Sequence, residues 1–274
     1  MPGDLRVITW NVARRRSVLE DQAAAIAGRR PDVVLLQEIT RNSAASWRAA
    51  LARAGLPHVV ETITSADPHR APPGPRRTGV LVAARSPLEP FDAGWELPWP
   101  EVLACARAPD GLELHAVHVP QAANGVIKPL TLARLHAGLA RAPGAPRVLG
   151  GDLNTPRRET PEGDVLTFAQ DSAGRLRPAR GEPWDAAERA MVTGLGPTGL
   201  RDVYRSHLGY GARDRSWVYP RGGGGYRIDH LLASGHFDVV AVGYHHDWRD
   251  DGLSDHSAME ADLRWRATAA RSAG

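Results

Sequence analysis

The sequence predicts an α/β sandwich, with sheets packed face to face and helices outside. Two observations predict it. Strand-like runs outnumber helical ones, and many neighbouring runs are close enough along the chain for antiparallel pairing, which disfavours a doubly wound parallel sheet. Apolar residues are 42% of the 274, enough for a sizeable core, and 24% are charged, an ordinary fraction.

The elements follow in order. Leu5 to Trp10 reads as a strand. Ser17 to Arg29 reads as a helix: Ser17 can cap it, Glu20 sits three residues on, and Leu19, Ala23, Ile26 and Ala27 repeat at helical spacing. Pro31-Asp32 breaks to Val33-Val34-Leu35-Leu36, a continuous apolar run suited to a fully buried strand. Asn42 to Ala54 is a second helix. Pro57 to Thr62, Gly79 to Ala84, Val102 to Arg107 and Leu112 to Val119 read as strands. Leu130 to Arg141 is helical, and Arg147 to Gly150 leads a strand into Asp152. Residues 157–198 are rich in Pro, Gly and charge, with a helical stretch near Trp184 to Met191. Ser216 to Tyr219, Tyr226 to Ala233, Phe237 to Tyr244 and Ser257 to Leu263 are late strands, and 267–274 reads as a frayed tail. No internal repeat and no linker divide the chain. The expectation is one domain over 1–266, with 157–198 as a long basic insert or lid.

Several function classes are excluded at this stage. No stretch approaches the roughly 20 apolar residues of a membrane span, and the start from Met1 to Trp10 carries no secretory signal. A cytoplasmic protein without a membrane partner, most simply a monomer, is expected. The single cysteine, Cys105, excludes an intramolecular disulfide and a Cys-based zinc cluster, and its apolar setting predicts a buried inert thiol. A net charge of +3 permits a polyanionic partner without demanding one. Arginine clusters (Arg14-Arg15-Arg16, Arg76-Arg77, Arg157-Arg158, and the spaced Arg175, Arg177 and Arg180) read first as solvated surface.

Polar residues at the ends of apolar strands are the recurring feature. Asn11 follows Val7 to Trp10, Glu38 follows Val33 to Gln37, and His118 follows Leu114 to Val117. Asp152 and Asn154 follow Val148 to Gly151, Asp229 stands beside Leu231-Leu232, and Asp255-His256 precedes the last strand. One polar strand end is ordinary. Six of them, all Asn, Asp, Glu or His, match a scaffold aiming side chains into a cleft. Carboxylates and amides without thiols suit a hard cation such as Mg²⁺ or Mn²⁺. Two histidines supply proton transfer or anion stabilisation near neutral pH. Hydrolysis of a phosphate ester needs that set of parts.

The segments Trp10-Asn11-Val12, Leu36-Gln37-Glu38, Gly151-Asp152-Leu153-Asn154, Arg227-Ile228-Asp229-His230 and Ser254-Asp255-His256-Ser257 occur in the order of the endonuclease/exonuclease/phosphatase superfamily. The resemblance runs from Asn11 to His256, and Gly-Asp-Leu-Asn and Ser-Asp-His are its most specific pieces. It implies a four-layered α/β sandwich of two mainly antiparallel sheets with helices outside. It also implies a divalent-metal-dependent phosphoesterase. Glu38 would be the principal metal ligand, with Asn11 and Asp255 near the same ion. Asp152 would orient or deprotonate the attacking water, and Asn154 would hold phosphate or metal-bound water. His256 would contact the scissile phosphate, oriented by Asp229, and His118 would face it as donor or general acid. His115, His136, His207 and His245 read as structural or surface histidines.

The substrate is less legible. Val119-Pro120-Gln121 is similar to the abasic-site endonuclease and exonuclease III branch, which usually has Tyr where His118 stands; His there resembles the deoxyribonuclease I and sphingomyelinase branches. Gln121, Asn124 and Lys128, in and after this segment, stand as substrate-contact candidates. So do Trp217, Tyr226 and Arg227, which lie where the repair branch places aromatic residues around a flipped-out sugar. Gly222 to Gly225 reads as a mobile hairpin tip. The insert's arginines suit a phosphate backbone. The leading expectation is a DNA-directed endonuclease or exonuclease with abasic-site activity. The alternatives are a small-molecule phosphodiesterase or phosphomonoesterase, and a non-catalytic binding protein on the same scaffold.

Overall fold

The computed structural model describes residues 4–64, 78–221 and 223–266. The Arg76-Arg77 pair, Gly222 and the tail from residue 267 lie outside the described residues.

The central strands alternate between two apolar environments. In β1 (Leu5–Asn11), Val7 faces one cluster while Ile8 and Trp10 face another; in β2 (Val33–Thr40), Leu35 faces the first while Val34 and Leu36 face the second. A strand with period-two side chains and no polar face has to be covered on both sides. One cover is a second sheet. The other is the pair α1 (Leu19–Arg29) and α2 (Arg41–Arg53), through Ile26, Trp47 and Leu51. The second sheet is covered in the same way: Val117 and Leu149 meet α3 (Ile127–Ala140) and α4 (Gly181–Val192) through Leu132, Leu135 and Met191. The layers run helix, sheet, sheet, helix, as the resemblance implies.

The first sheet has the order β15 (Phe237–His245), β16 (Ala258–Trp265), β1, β2, β4 (Thr78–Ala84), β3 (His58–Glu61). The second has the order β11 (Leu200–Asp202), β14 (Asp229–Ser234), β8 (Arg147–Asp152), β7 (Glu113–His118), β6 (Leu103–Arg107), β5 (Glu89–Pro90). Each sheet has one parallel pair at its centre, β1 with β2 and β7 with β8, and antiparallel pairs elsewhere. Each parallel pair is joined by a crossover helix, α1 or α3, since parallel neighbours cannot share a tight turn. The carboxyl ends of β1 and β8 meet at one edge of the sandwich, where Asn11 Nδ2 lies 3.2 Å from Asp152 Oδ2. Strands antiparallel to them begin at that edge, so Asp229 pairs in register with Asp152.

Two glycines allow close approaches, one between the sheets and one between neighbouring strands. A Cβ on Gly150 would lie 2.6 Å from Leu35 Cδ1 of the facing sheet, and one on Gly151 would lie 1.8 Å from Val117 O.

Smaller elements complete the chain: the ribbons β9 (Arg158–Glu159) with β10 (Val165–Leu166) and β12 (Trp217–Val218) with β13 (Gly225–Tyr226), and the short helices α5 (Val203–Leu208) and α6 (His246–Asp250). Residues 157–198 thus carry β9, β10 and α4, and α4 packs Ala187 and Met191 into the same cluster as α3. Cys105 is buried and free, as its setting predicts. Among the described residues no helix is long and apolar enough to cross a membrane.

Two boundaries differ from expectation. Ser17 does not cap α1, which begins at Leu19 after Val18 without a side-chain cap. The preceding residues are spent on a turn in which Ala13 and Arg14 take positive φ, 54° and 56°, and Arg15 N donates to Val12 O. The strand expected over Tyr226 to Ala233 is two strands, because Ser216 Oγ accepts the Ile228 and Asp229 amides at 3.0 and 3.1 Å and breaks the ladder between them. By contrast α2 has a reciprocal cap, Ser43 N to Thr40 Oγ1 at 3.2 Å and Thr40 N to Ser43 Oγ at 3.0 Å.

Candidate active site

Glu38 is aimed by a fault in its strand. The β2–β4 register slips between Gln37 and Ile39, leaving Glu38 as a bulge residue at φ 62°. A bulge re-aims a side chain, and a non-glycine residue at positive φ is held there only by its surroundings. Its Oε1 lies 3.4 Å from Asn11 Nδ2 and 3.9 Å from His118 Nε2, and its Oε2 accepts Arg14 Nε at 2.9 Å. Asn11 is buried; its Oδ1 accepts the Ala13 amide, so its Nδ2 faces Glu38 and Asp152.

Asp152 ends β8. Its Oδ1 accepts the Asn154 amide at 2.8 Å, and its Oδ2 lies 3.8 Å from His118 Nε2 and 4.0 Å from His256 Nε2. Asn154 has φ 51° and donates Nδ2 to Val119 O. His256 Nδ1 lies 2.8 Å from Asp229 Oδ2, and both groups are buried. The loop before β16 is pinned by Ser254 Oγ donating to Asn11 O and by Trp10 Nε1 donating to His256 O.

The electrostatics follow from burial without balance. Burial, then the neighbouring Asp229 charge, pushes the Asp152 carboxyl up to about 6. Burial would lower His256, but the Asp229 carboxylate overrides it and raises the imidazole to about 10. Burial would likewise raise Asp229, and His256 holds it below the usual carboxylate range instead. His118 Nε2 and Asp229 Oδ1 are buried without a hydrogen-bond partner among the described residues.

Excess buried carboxylate and orphaned polar atoms are what a divalent cation would relieve. Asp152, Asp229 and His256 offer ligand atoms within 4.8 Å of one another. A ligating histidine must be neutral, however, and His256 is held cationic by Asp229. The Glu38 carboxylate, 3.4 Å from the Asn11 amide, fits a hard cation better. Asp255 is exposed, and the contact that fixes it is Trp217 Nε1 at 3.3 Å rather than Glu38 or Asn11.

A cleft of about 480 Å³ opens over these groups, within the range that holds small ligands. Glu38, Gln121, Asn154, Asp255 and His256 line it, facing a wall of Trp217, Tyr226 and Phe168. Trp217 and Tyr226 stack at 5.7 Å and 7°, Phe168 meets Tyr226 edge-on at 5.0 Å, and Tyr219 bonds the Tyr226 hydroxyl. Gln121 also lines a second cleft, of about 360 Å³, with Asn124 and His118.

Two expected substrate contacts are internal instead. Lys128 is fully buried, its Nζ donating to Glu188 Oε1 and to Asn154 O at 2.7 Å each, so it supports Asn154 from behind. Arg227 is buried between Glu159 and Asp202. Conversely, the sequence does not mark Arg14 as a partner of Glu38, Phe168 as part of the aromatic wall, or Ser216 as the hydroxyl that interrupts a strand. Arg14 was indistinguishable from a solvated cluster, and Phe168 stands in a segment without motifs.

The sequence pattern of the Endonuclease/Exonuclease/phosphatase family matches residues 8–256. No curated protein matches the chain. Among solved structures, a 3′ phosphatase NExo from Neisseria, bound to a product DNA hairpin, is 21% identical with a TM-score of 0.69; the match covers 95% of this chain and 100% of that one. An AP endonuclease from Archaeoglobus fulgidus is 22% identical, TM-score 0.69, covering 94% and 98%. An endonuclease/exonuclease/phosphatase from Beutenbergia cavernae is 23% identical, TM-score 0.66, covering 96% and 72%. At these identities the structures speak to the fold alone. With the family pattern spanning every strand end that builds the site, the chain belongs to the endonuclease/exonuclease/phosphatase family, whose members are metal-dependent phosphoester hydrolases.

Proposed function

We propose that this chain is a Mg²⁺- or Mn²⁺-dependent nuclease that hydrolyses DNA phosphodiesters, with abasic sites or 3′ ends as its substrates. The observation that carries the reading is the aromatic wall, Trp217, Tyr226 and Phe168, beside the Asp229–His256 pair in one cleft. A base or sugar can pack on that wall while its phosphate meets the polar groups. The likeness to a DNA-bound phosphatase and to an AP endonuclease supports the reading.

In this reading Asp152 receives the proton of the attacking water, and a carboxyl pushed up to about 6 suits a base working near neutral pH. His256, held cationic by Asp229, donates to a phosphoryl oxygen as negative charge grows there. His118, with its unpartnered Nε2, donates from the opposite side. Asn154 fixes the phosphate, its backbone held by Asp152 and Lys128. A divalent cation held by Glu38, beside Asn11, would supply charge neutralisation at the phosphoryl oxygens. A small-molecule phosphodiesterase is the second reading, favoured by a cleft that suits one nucleotide-sized group.

The test is hydrolysis of plasmid, an abasic-site oligonucleotide, bis-p-nitrophenyl phosphate and p-nitrophenyl phosphate, with Mg²⁺ and with EDTA. The expected result is metal-dependent cleavage of an oligonucleotide, lost in EDTA and reduced by Glu38→Gln. Activity confined to the two small esters would replace the DNA reading with the second one. Full activity in EDTA would remove both.

A further inference from the structure

A cavity of about 200 Å³ lies on the other side of Tyr226 from the catalytic cleft, and Tyr226 lines both. Its floor is charge-matched. The Glu159 carboxylate is gripped by Arg205, at 2.7 and 2.9 Å, and by Arg227, at 2.8 and 2.9 Å, and Arg227 also reaches Asp202 at 2.7 Å. Two guanidinium groups therefore meet two carboxylates.

The rim has a different balance. Arg157 and Arg158 arrive from the segment after β8, and Arg213 and Arg215 from the loop between α5 and β12. The carboxylate on that rim, Asp214, is already bonded to Tyr204 and to His246. Among the described residues, none of the four arginines has a carboxylate within ion-pair distance. Arg157 and Arg215 each donate one N–H to a backbone carbonyl, of Gln170 and Gly223; among the described residues Arg158 and Arg213 make no side-chain hydrogen bond, and Arg213 acts on the exposed Glu162 only through charge. Four cationic forks from two distant segments at one mouth repel one another unless an anion joins them. Their planar geometry fits phosphate. The remaining arginines of 157–198 are spent differently: Arg175 pairs with Asp171, Arg189 with Asp185, Arg177 bonds Gln170 O, and Arg180 bonds Phe168 O.

We propose that this pocket is a second phosphate subsite. It takes a backbone phosphate of the strand whose neighbouring phosphoester is cleaved at His256, with Tyr226 as the partition between the two phosphates. The proposal rests on the DNA reading above and adds the place where the uncleaved strand is held.

The experiment is the triple variant Arg158→Ser/Arg213→Ser/Arg215→Ser against the parent. Affinity for a fluorescein-labelled single-stranded oligonucleotide is read by anisotropy in EDTA over a series of KCl concentrations, with thermal melts as the folding control. The expected result is a Kd raised about tenfold, as for loss of a charge-assisted contact. The slope of log affinity against log salt should be shallower by roughly 0.7, the value for one phosphate of a single strand. Should the triple variant melt early, the exposed singles Arg158→Ser and Arg213→Ser each carry part of the same change. Unchanged Kd and slope in a variant that melts like the parent overturns the subsite and leaves the DNA reading intact. Calorimetry with inorganic phosphate adds an arm: phosphate binding lost in the variant while DNA binding is unchanged assigns the pocket to a free anion and overturns the strand assignment. A parent that binds no oligonucleotide overturns both proposals.

Discussion

Arg227 and Asp229 are two residues apart, yet each belongs to a buried charge cluster of opposite character. Around Arg227 the charges match. Burial would raise Glu159, but Arg227 and Arg205 hold it at about 2; burial would raise Asp202 too, and Arg227 and His230 pull it well below the usual carboxylate range. Around Asp229 they do not match. Asp152, Asp229 and Glu38 gather near one buried cation, His256, with only the exposed Arg14 reaching Glu38 from the rim, and Asp152 is pushed up to about 6. A matched buried cluster stabilises a fold only modestly but is costly to break from one side. An unmatched one destabilises the resting protein and is ready for a cation and a phosphate.

The contrast can be broken first at the unmatched cluster. His256→Ala and Asp152→Asn should each lower kcat by at least about 10³-fold, or about 4 kcal/mol in the barrier. The double variant should be little worse than either single one, because the groups act as a unit. Single-turnover kinetics on whichever ester the parent cleaves gives the answer, and near-parental turnover in either variant would remove these roles.

Breaking the matched cluster should cost stability. Glu159→Gln leaves two buried guanidinium groups short of a partner and should destabilise by about 3 kcal/mol at pH 7 in urea unfolding. The pH dependence carries the sign. Glu159 is depressed in the folded state, from an ordinary 4.5 to about 2, so its contribution is present above about pH 4.5 and is lost as pH falls through 2. The parent should lose stability across that window more steeply than Glu159→Gln. Parallel curves would mean that the clamp contributes nothing.

The smallest effect has the opposite sign. Asp152 is raised in the folded state, so its charge costs stability at neutral pH. Asp152→Asn should therefore stabilise the fold in EDTA, by on the order of 1 to 3 kcal/mol, and raise the melting temperature. If both Asp152→Asn and Glu159→Gln lower it, the distinction between the clusters fails.

These differences explain what was legible in the sequence. The layers could be read because strand-like runs outnumber helical ones at spacings that allow antiparallel pairing, and because β2 opens on a continuous apolar run that needs two covers. The strand ends Asn11, Glu38, Asp152 and His256 could be read because each stands at the end of such a run, and the structure links them in a chain of contacts of 3.2 to 4.0 Å. Lys128 and Arg227 misled, since the carboxylates that bury them come from 60 and 68 residues further along or back, and linear reading sees a free cation. The bulge at Glu38 left no mark either, because a polar residue that ends a strand and one that a bulge displaces look alike in sequence. Ribbons of two residues, such as β9 with β10, are too short for any periodicity to mark them.

Gly150 has a consequence for how this enzyme can change over generations. Glu38 and Asn11 hang from one sheet, Asp152 and Asp229 from the other, and Gly150 sits at the seam between them, with Leu35 and Thr9 opposite. A methyl group added there would lie 2.6 Å from Leu35 Cδ1 and 2.7 Å from Leu231 Cδ2, so the buried leucines have to repack, and repacking at the seam shifts the two sheets against each other. Interior substitutions along this seam act as a ruler for the jaws. Substrate choice can drift through residues that never meet the substrate, while every catalytic side chain stays the same.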